Sequence, residues 1–165
     1  MLFATLIISL LAVPHGIFAQ AAVQRIPLPN NSNFPISEGV WVGDTFYLSG
    51  MLDSSVAKGT PGDTAAQTVN ALRSIEKALA EQHLTLGDIV LMHAYLAADP
   101  GKGRMDFDGF MTGYGQFFGT KEQPNKPARS AMQVAALALP GALIEIEVVA
   151  VNSHGKGSMR AALGR

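Results

Sequence analysis

Residues 143–151 read LIEIEVVAV, and the strict alternation of this stretch decides the fold. Successive side chains of a β-strand point to opposite faces of the sheet. One face is predicted to be wholly apolar and to pack against helices: Ile144, Ile146, Val148 and Ala150. The other face carries Glu145 and Glu147, followed by Val149 and Val151. A face that passes from carboxylates to valines is not a plain solvent face, so we expect a partner subunit to cover it.

The preceding strand is predicted over residues 129–134, and only the turn at 139–141 separates it from the last strand. Arg129 and Glu145 are therefore expected at neighbouring strand positions. An exposed cross-strand ion pair, worth about 0.2–1 kcal/mol, would account for this spacing. From the residue types alone the ion pair is favoured, and a functional site built on the two residues is the alternative.

The rest of the chain alternates strands and helices. A hairpin is predicted over residues 40–49, a helix over residues 64–82 and a strand over residues 89–97. A second helix follows, with an aromatic and apolar stripe that is predicted to pack in the core: Phe107, Phe110, Met111, Tyr114, Phe117 and Phe118. This order predicts an α+β fold, a mixed β-sheet with two helices on one face.

Composition limits both the architecture and the function. A chain of 165 residues, 48% hydrophobic and 15% charged, allows one domain, predicted over residues 24–152 with a flexible basic tail over 153–165. The net charge of −1 gives no excess positive charge for binding nucleic acid. The absence of cysteine excludes thiolate chemistry. The histidines are too scattered to predict a metal site: His15, His83, His93 and His154.

The N-terminal stretch has the pattern of an export signal. Residues 1–13 are almost wholly apolar, but they are too few to cross a bilayer of about 30 Å as a permanent helix. A proline, a glycine and a group of small residues follow, which predicts a signal peptide over residues 1–19. Cleavage is expected after Ala19, with Ala21 as the second candidate. An uncleaved anchor or a buried N-terminal helix is the alternative to a periplasmic or secreted protein.

Several blocks of sequence occur in the order found in one known family. They are PISEG at 35–39 with LSG at 48–50, LGDIV at 86–90, YGQFF at 114–118, and KPARS at 126–130 ahead of IEIE at 144–147. With these blocks, the chain resembles the RidA/YjgF family of imine and enamine deaminases over residues 25–151. The resemblance implies a chorismate-mutase-like fold and a homotrimer with three active sites in clefts between subunits.

The resemblance also implies a reaction and roles for particular residues. The family's deaminases hydrolyse 2-aminoacrylate and related imines to 2-oxo acids and ammonia without a cofactor. Arg129 would bind the substrate carboxylate, a task suited to the planar guanidinium, and Glu145 would position the attacking water. Further substrate-binding positions are implied at Ser49, Gly50, Ile36, Ala131 and Tyr114.

Four positions depart from the family pattern. Ile36 stands where the family has a tyrosine, Ala131 where a cysteine is frequent, Met111 where an asparagine is found and Met51 where a glutamine is common. These departures predict a more apolar cleft and a larger or more apolar substrate.

Three functions are compatible with the sequence. The first is an imine deaminase of altered substrate range, with a small imine or 2-oxo acid as ligand and no cofactor, nucleic acid or, after cleavage of the leader, membrane as partner. The second is a non-catalytic protein that binds small carboxylates through Arg129. The third is an endoribonuclease, an activity reported under older names of the family. The third is disfavoured because the chain is not basic and lacks His/Lys pairs suited to RNA cleavage.

Overall fold

The computed structural model describes residues 21–31 and 33–153. The predicted signal peptide and, except for Ser153, the predicted tail lie outside the described residues. Within these ranges, no helix combines the length and the apolar character that crossing a bilayer requires.

Six strands form one mixed sheet, and two helices pack on it. The elements are, in chain order, β1 (Val23–Pro27), β2 (Ser37–Val42), β3 (Thr45–Leu52), α1 (Thr64–Glu81), β4 (Ile89–Leu96), α2 (Phe107–Tyr114), β5 (Ala128–Gln133) and β6 (Ile144–Val151). The strand order is β1-β2-β3-β6-β4-β5, with β4 and β5 parallel and the other pairs antiparallel. The predicted α+β class and mixed sheet are confirmed.

The central strand β6 carries the core of the sheet. Its apolar face is buried as the alternation predicts, with every member at most 2% exposed: Ile144, Ile146, Val148 and Ala150. Helix α1 covers this face with Leu72, Ile75 and Leu79, none of which is exposed to solvent. Full burial of one such side chain stabilises the fold by about 1.5–3 kcal/mol.

Two local predictions are confirmed with small shifts. The hairpin β2–β3 turns at Gly43, whose φ of 59° lies in the left-handed region that favours glycine. Helix α1 starts behind Asp63, whose carboxylate accepts the backbone N–H of Ala66, and it ends at Glu81, one residue before the predicted end. The exposed His83 follows in a left-handed conformation and completes the C-terminal cap.

The aromatic stripe is only partly a core feature. Phe110, Tyr114 and Phe118 are buried, but Phe107 and Met111 are 40% and 37% exposed. Helix α2 spans only the eight residues Phe107–Tyr114, and Phe118 reaches the core from the loop that follows it.

The expected contact between Arg129 and Glu145 is wrong. Strand β4 lies between β5 and β6, so the two residues are not on neighbouring strands. The connection from β5 to β6 passes over β4 instead of forming a hairpin. Register also separates them: Arg129 pairs with Met92 on the helix-covered face, whereas Glu145 pairs with Tyr95 on the open face.

Candidate active site

Arg129 lies on the helix-covered face of the edge strand β5. Its guanidinium stacks on two rings of the α2 region, 4.8 Å from the ring centroid of Phe110 and 4.4 Å from that of Tyr114. Nη2 also lies 3.3 Å from the sulfur of Met111. Such stacking holds the planar group in one orientation.

One nitrogen of this guanidinium lacks a hydrogen-bond partner among the described residues. This nitrogen is Nη1 of Arg129, and it is buried. A buried polar group without a partner destabilises a fold, so an orphaned cationic donor marks a place where an anion would bind favourably. A carboxylate fits best, because its two oxygens match the fork of the guanidinium.

A cleft of about 500 Å³ opens beside Arg129. Its lining residues come from α2, from the loop after it and from the start of β5: Met111, Tyr114, Gly115, Phe118, Gly119, Lys126, Pro127 and Arg129. The walls are therefore mainly aromatic and apolar, and both charged groups on this lining are cations. Burial raises the pKa of the Tyr114 hydroxyl, against a smaller opposing effect of the Arg129 charge, so this phenol stays neutral.

Glu145 lies on the opposite face of the sheet, over a bulge in β3. Ser49 and Gly50 together face a single residue of β6, and the carboxyl of Glu145 rests directly against the Gly50 backbone. A Cβ on residue 50 would collide with this carboxyl, which explains the glycine. The Ser49 hydroxyl donates to the backbone carbonyl of Ser37 at 2.8 Å, next to the exposed Ile36.

The two carboxylates of β6 have different environments. Burial, and secondly the charge of Glu147, raise the pKa of Glu145. Burial alone would also raise the pKa of Glu147, but hydrogen bonds from His93 and Tyr95, each 2.8 Å long, and the charge of His93 lower it overall. Glu147 is therefore held ionised, whereas Glu145 is the carboxyl that more readily carries a proton.

The structure brings the predicted site residues together in two groups, not one. Arg129, Tyr114 and the half-buried Ala131 form a group on the helix-covered face. On the open face, Glu145 contacts Gly50. Ser49 precedes Gly50 on β3, and its hydroxyl bonds to the carbonyl of Ser37, which follows Ile36 at the start of β2. Met51, where the family commonly has a glutamine, is partly buried and packs against the core.

Sequence reasoning missed three polar residues around these groups. His93 was assigned to the sheet, which is confirmed, but its pairing with Glu147 and the role of Tyr95 depend on the register of β4 against β6. Lys126 stands in the KPARS block and could have been found there, three residues before Arg129. Within the residues described, no group of three or more His, Asp or Glu side chains is arranged to hold a metal ion.

Comparison with known proteins assigns the family. The profile of the family described as Endoribonuclease L-PSP matches residues 30–152. The chain belongs to the RidA/YjgF family. Among curated relatives in this family, the 2-iminobutanoate/2-iminopropanoate deaminase of Bos taurus is 35% identical over 120 residues, which are 72% of this chain and 80% of that protein. A RutC family protein of Haemophilus influenzae is 32% identical over 119 residues, 72% of this chain and 87% of its own length.

Solved RidA/YjgF structures share the fold. Escherichia coli TdcF with bound serine superposes with a TM-score of 0.62 at 29% identity, covering 82% of this chain and 99% of that one. The YjgF gene product of E. coli gives a TM-score of 0.61 at 30% identity, covering 73% and 91%.

The opposite pKa shifts of the two glutamates predict opposite pH effects on stability. Glu147, with its lowered pKa, stabilises the fold above the ordinary glutamate pKa of about 4.3, and this contribution is lost as pH falls through its folded pKa. Glu145, with its raised pKa, stabilises the fold below that ordinary pKa and loses this contribution as pH rises through its folded pKa. The measurement is the urea midpoint of unfolding of each variant minus that of the wild type, at pH about 4 and about 7. As pH rises, this difference should increase for Glu145→Gln and decrease for Glu147→Gln. Shifts of the same sign in both variants would contradict the assignment.

Proposed function

We propose that this protein hydrolyses the C=N bond of small 2-imino acids, formed from enamines such as 2-aminoacrylate, to 2-oxo acids and ammonia. The observation that carries the proposal is the stacked Arg129 guanidinium, whose buried Nη1 has no partner beside a cleft lined by cations and apolar walls. Relatives named as deaminases at 33–35% identity support the reaction class.

In the proposed mechanism, Arg129 binds the substrate carboxylate through paired N–H donors and so orients the adjacent imine carbon. Glu145 accepts a proton from a water molecule as the water oxygen bonds to that carbon. The same carboxyl then returns this proton to nitrogen, which gives a carbinolamine. It next carries the hydroxyl proton of the carbinolamine to nitrogen, so that the C–N bond breaks as the C=O bond forms, and ammonia and the 2-oxo acid are released. A carboxyl with a raised pKa suits both directions of this transfer near neutral pH.

The proposed site forms between subunits, because one chain holds its two halves on opposite faces of the sheet. The Arg129 group of one copy would meet the Glu145 group of the next. Contact between two different patches is a heterologous interface, and such interfaces close into a ring when the rotation from one copy to the next completes a circle. A homotrimer would contain three equivalent sites and would cover the half-exposed Val149 and Val151 on the open face of β6. The position of Arg129 on an edge strand leaves it accessible to a neighbouring copy.

A non-catalytic carboxylate binder is the second candidate. The Arg129 group is complete within one chain and would bind a carboxylate without help from Glu145. The loss of the family hydroxyl at Ile36 and of the thiol at Ala131 favours this alternative, since both positions lack a polar group here. Ribonuclease activity has no such support in the described residues, where the Arg129 cleft is small and the chain as a whole carries a net charge of −1.

Export is proposed on the sequence pattern alone, and its test is the mature N-terminus. Protein purified from a native-like host should begin at about Gln20, which N-terminal sequencing would determine. Intact Met1 on protein from the cytosolic fraction would contradict export.

Assembly is tested by a charge on the open face of β6. Val149→Glu should dissociate the proposed trimer, because a buried carboxylate without a partner is strongly unfavourable in an interface. Light scattering at micromolar concentration should show a trimer for the wild type and smaller species for the variant. Ala80→Glu, at an exposed position of α1, is the matched control and should remain trimeric. A monomeric wild type would contradict the trimer.

Substitution of Arg129 and Glu145 separates binding from turnover. Arg129→Lys keeps the charge but loses the planar fork, and it should weaken the binding of 2-oxobutanoate, measured by calorimetry, by about tenfold or more. Glu145→Gln should spare that binding and reduce ammonia release from imines generated in situ by an amino acid oxidase, by roughly 10²–10⁴-fold.

Matched controls on the exposed face of α1 are Arg73→Lys and Glu76→Gln, both of which should behave as wild type. Wild-type binding without ammonia release from any imine would favour the non-catalytic binder. Wild-type behaviour of both site variants would refute the proposed site altogether.

A further inference from the structure

A second cation shares the Arg129 cleft. The side chain of Lys126 packs across Gly119, where a Cβ would lie 2.7 Å from its Cε and 3.6 Å from its Nζ. Gly119 has a φ of 74°, so the position needs glycine for its backbone as well as for this contact. Lys126 and Gly119 both line the cleft beside Arg129, and the lining contains no carboxylate.

The local sequence sets the spacing between Lys126 and Arg129. Pro127 has a fixed φ and favours an extended conformation at Lys126. Three residues of extended chain place the Cα atoms of Lys126 and Arg129 at most about 10 Å apart. Both side chains are long, so each can contact a different group of one small molecule in the cleft.

The charge in this cleft exceeds what a monocarboxylate neutralises. Two cations in one cleft repel each other, and binding two negative charges relieves this repulsion. In the proposed trimer, the Glu145 carboxylate of the neighbouring copy would add one negative charge at the imine, beside Arg129, so Lys126 would still lack an anionic partner. A larger cleft of about 730 Å³ in the described part of the chain is unsuited to anions, because Glu76, Asp88 and Glu122 line it.

We propose that the cleft selects 2-imino dicarboxylic acids, with Arg129 binding the carboxylate next to the imine and Lys126 binding the second, distal carboxylate. This inference rests on the proposed function and names its substrate class. The side chains of Met111, Tyr114 and Phe118 would contact the methylene groups between the two carboxylates. Hydrolysis itself is unchanged: water adds across the C=N bond, and ammonia and a 2-oxo dicarboxylate are released.

Binding of stable product analogues tests the selectivity without any turnover. Calorimetry should show that the wild-type protein binds 2-oxoglutarate roughly tenfold more tightly than 2-oxobutanoate, the gain expected of one added charge-assisted contact. Lys126→Gln should abolish this preference, because it should weaken 2-oxoglutarate binding about tenfold and 2-oxobutanoate binding by much less. Lys121→Gln is the matched control, because Lys121 is exposed on the same loop but does not line the cleft.

Turnover separates failure of this inference from failure of the proposed function. Imines of glutamate and of alanine, generated in situ by amino acid oxidases, should be hydrolysed with a kcat/KM ratio that favours the dicarboxylate and falls about tenfold in Lys126→Gln. Equal binding of 2-oxoglutarate and 2-oxobutanoate to the wild type, or an unchanged preference in Lys126→Gln, would overturn the dicarboxylate selectivity. Preferential 2-oxoglutarate binding that depends on Lys126, without hydrolysis of either imine, would support the selectivity and refute the deaminase.

Discussion

Burial of the apolar face of β6 against the helices is the constraint on which the rest of the structure depends. Ile144, Ile146 and Val148 are at most 2% exposed, so the strand cannot shift by one residue without exposing all three. The same register fixes Glu145 and Glu147 on the open face. Because β3 and β4 pair with β6 on either side, their registers against it decide which polar side chains meet the two carboxylates.

The two faces of the sheet then take on different chemistry. The helix-covered face presents, at its β5 edge, one arginine stacked on aromatic rings beside a positively charged cleft. The open face presents two carboxylates whose pKa values are shifted in opposite directions by their neighbours. The Arg129 group has a cation that can bind an anion, and the Glu145 group has a carboxyl that can accept a proton from water, but neither group has both. The proposed trimer would join them, with the partly apolar open face as its contact surface.

Local features of the sequence predicted local structure well. The alternation at residues 144–151, the Gly43 turn and the helix behind Asp63 are confirmed, because each depends on contacts within a few residues or on a periodic pattern. Strand β1 was not predicted, since it ends at Pro27 in a proline-rich stretch and its five residues are mostly exposed. The contact of Arg129 with Glu145 was wrong because strands adjacent in sequence need not be adjacent in the sheet.

The sequence by itself determined the family, the α+β class and the residue types available for chemistry, with Arg129 and Glu145 in recognisable blocks. These follow from periodicity and motif, which are properties of the chain. Only the tertiary structure decided that β4 lies between the two strands, that Arg129 stacks on Phe110 and Tyr114, and that His93 and Tyr95 hold Glu147. Those contacts join residues about 15 to 54 positions apart, and their geometry depends on strand order and register, which the packing of the whole core selects.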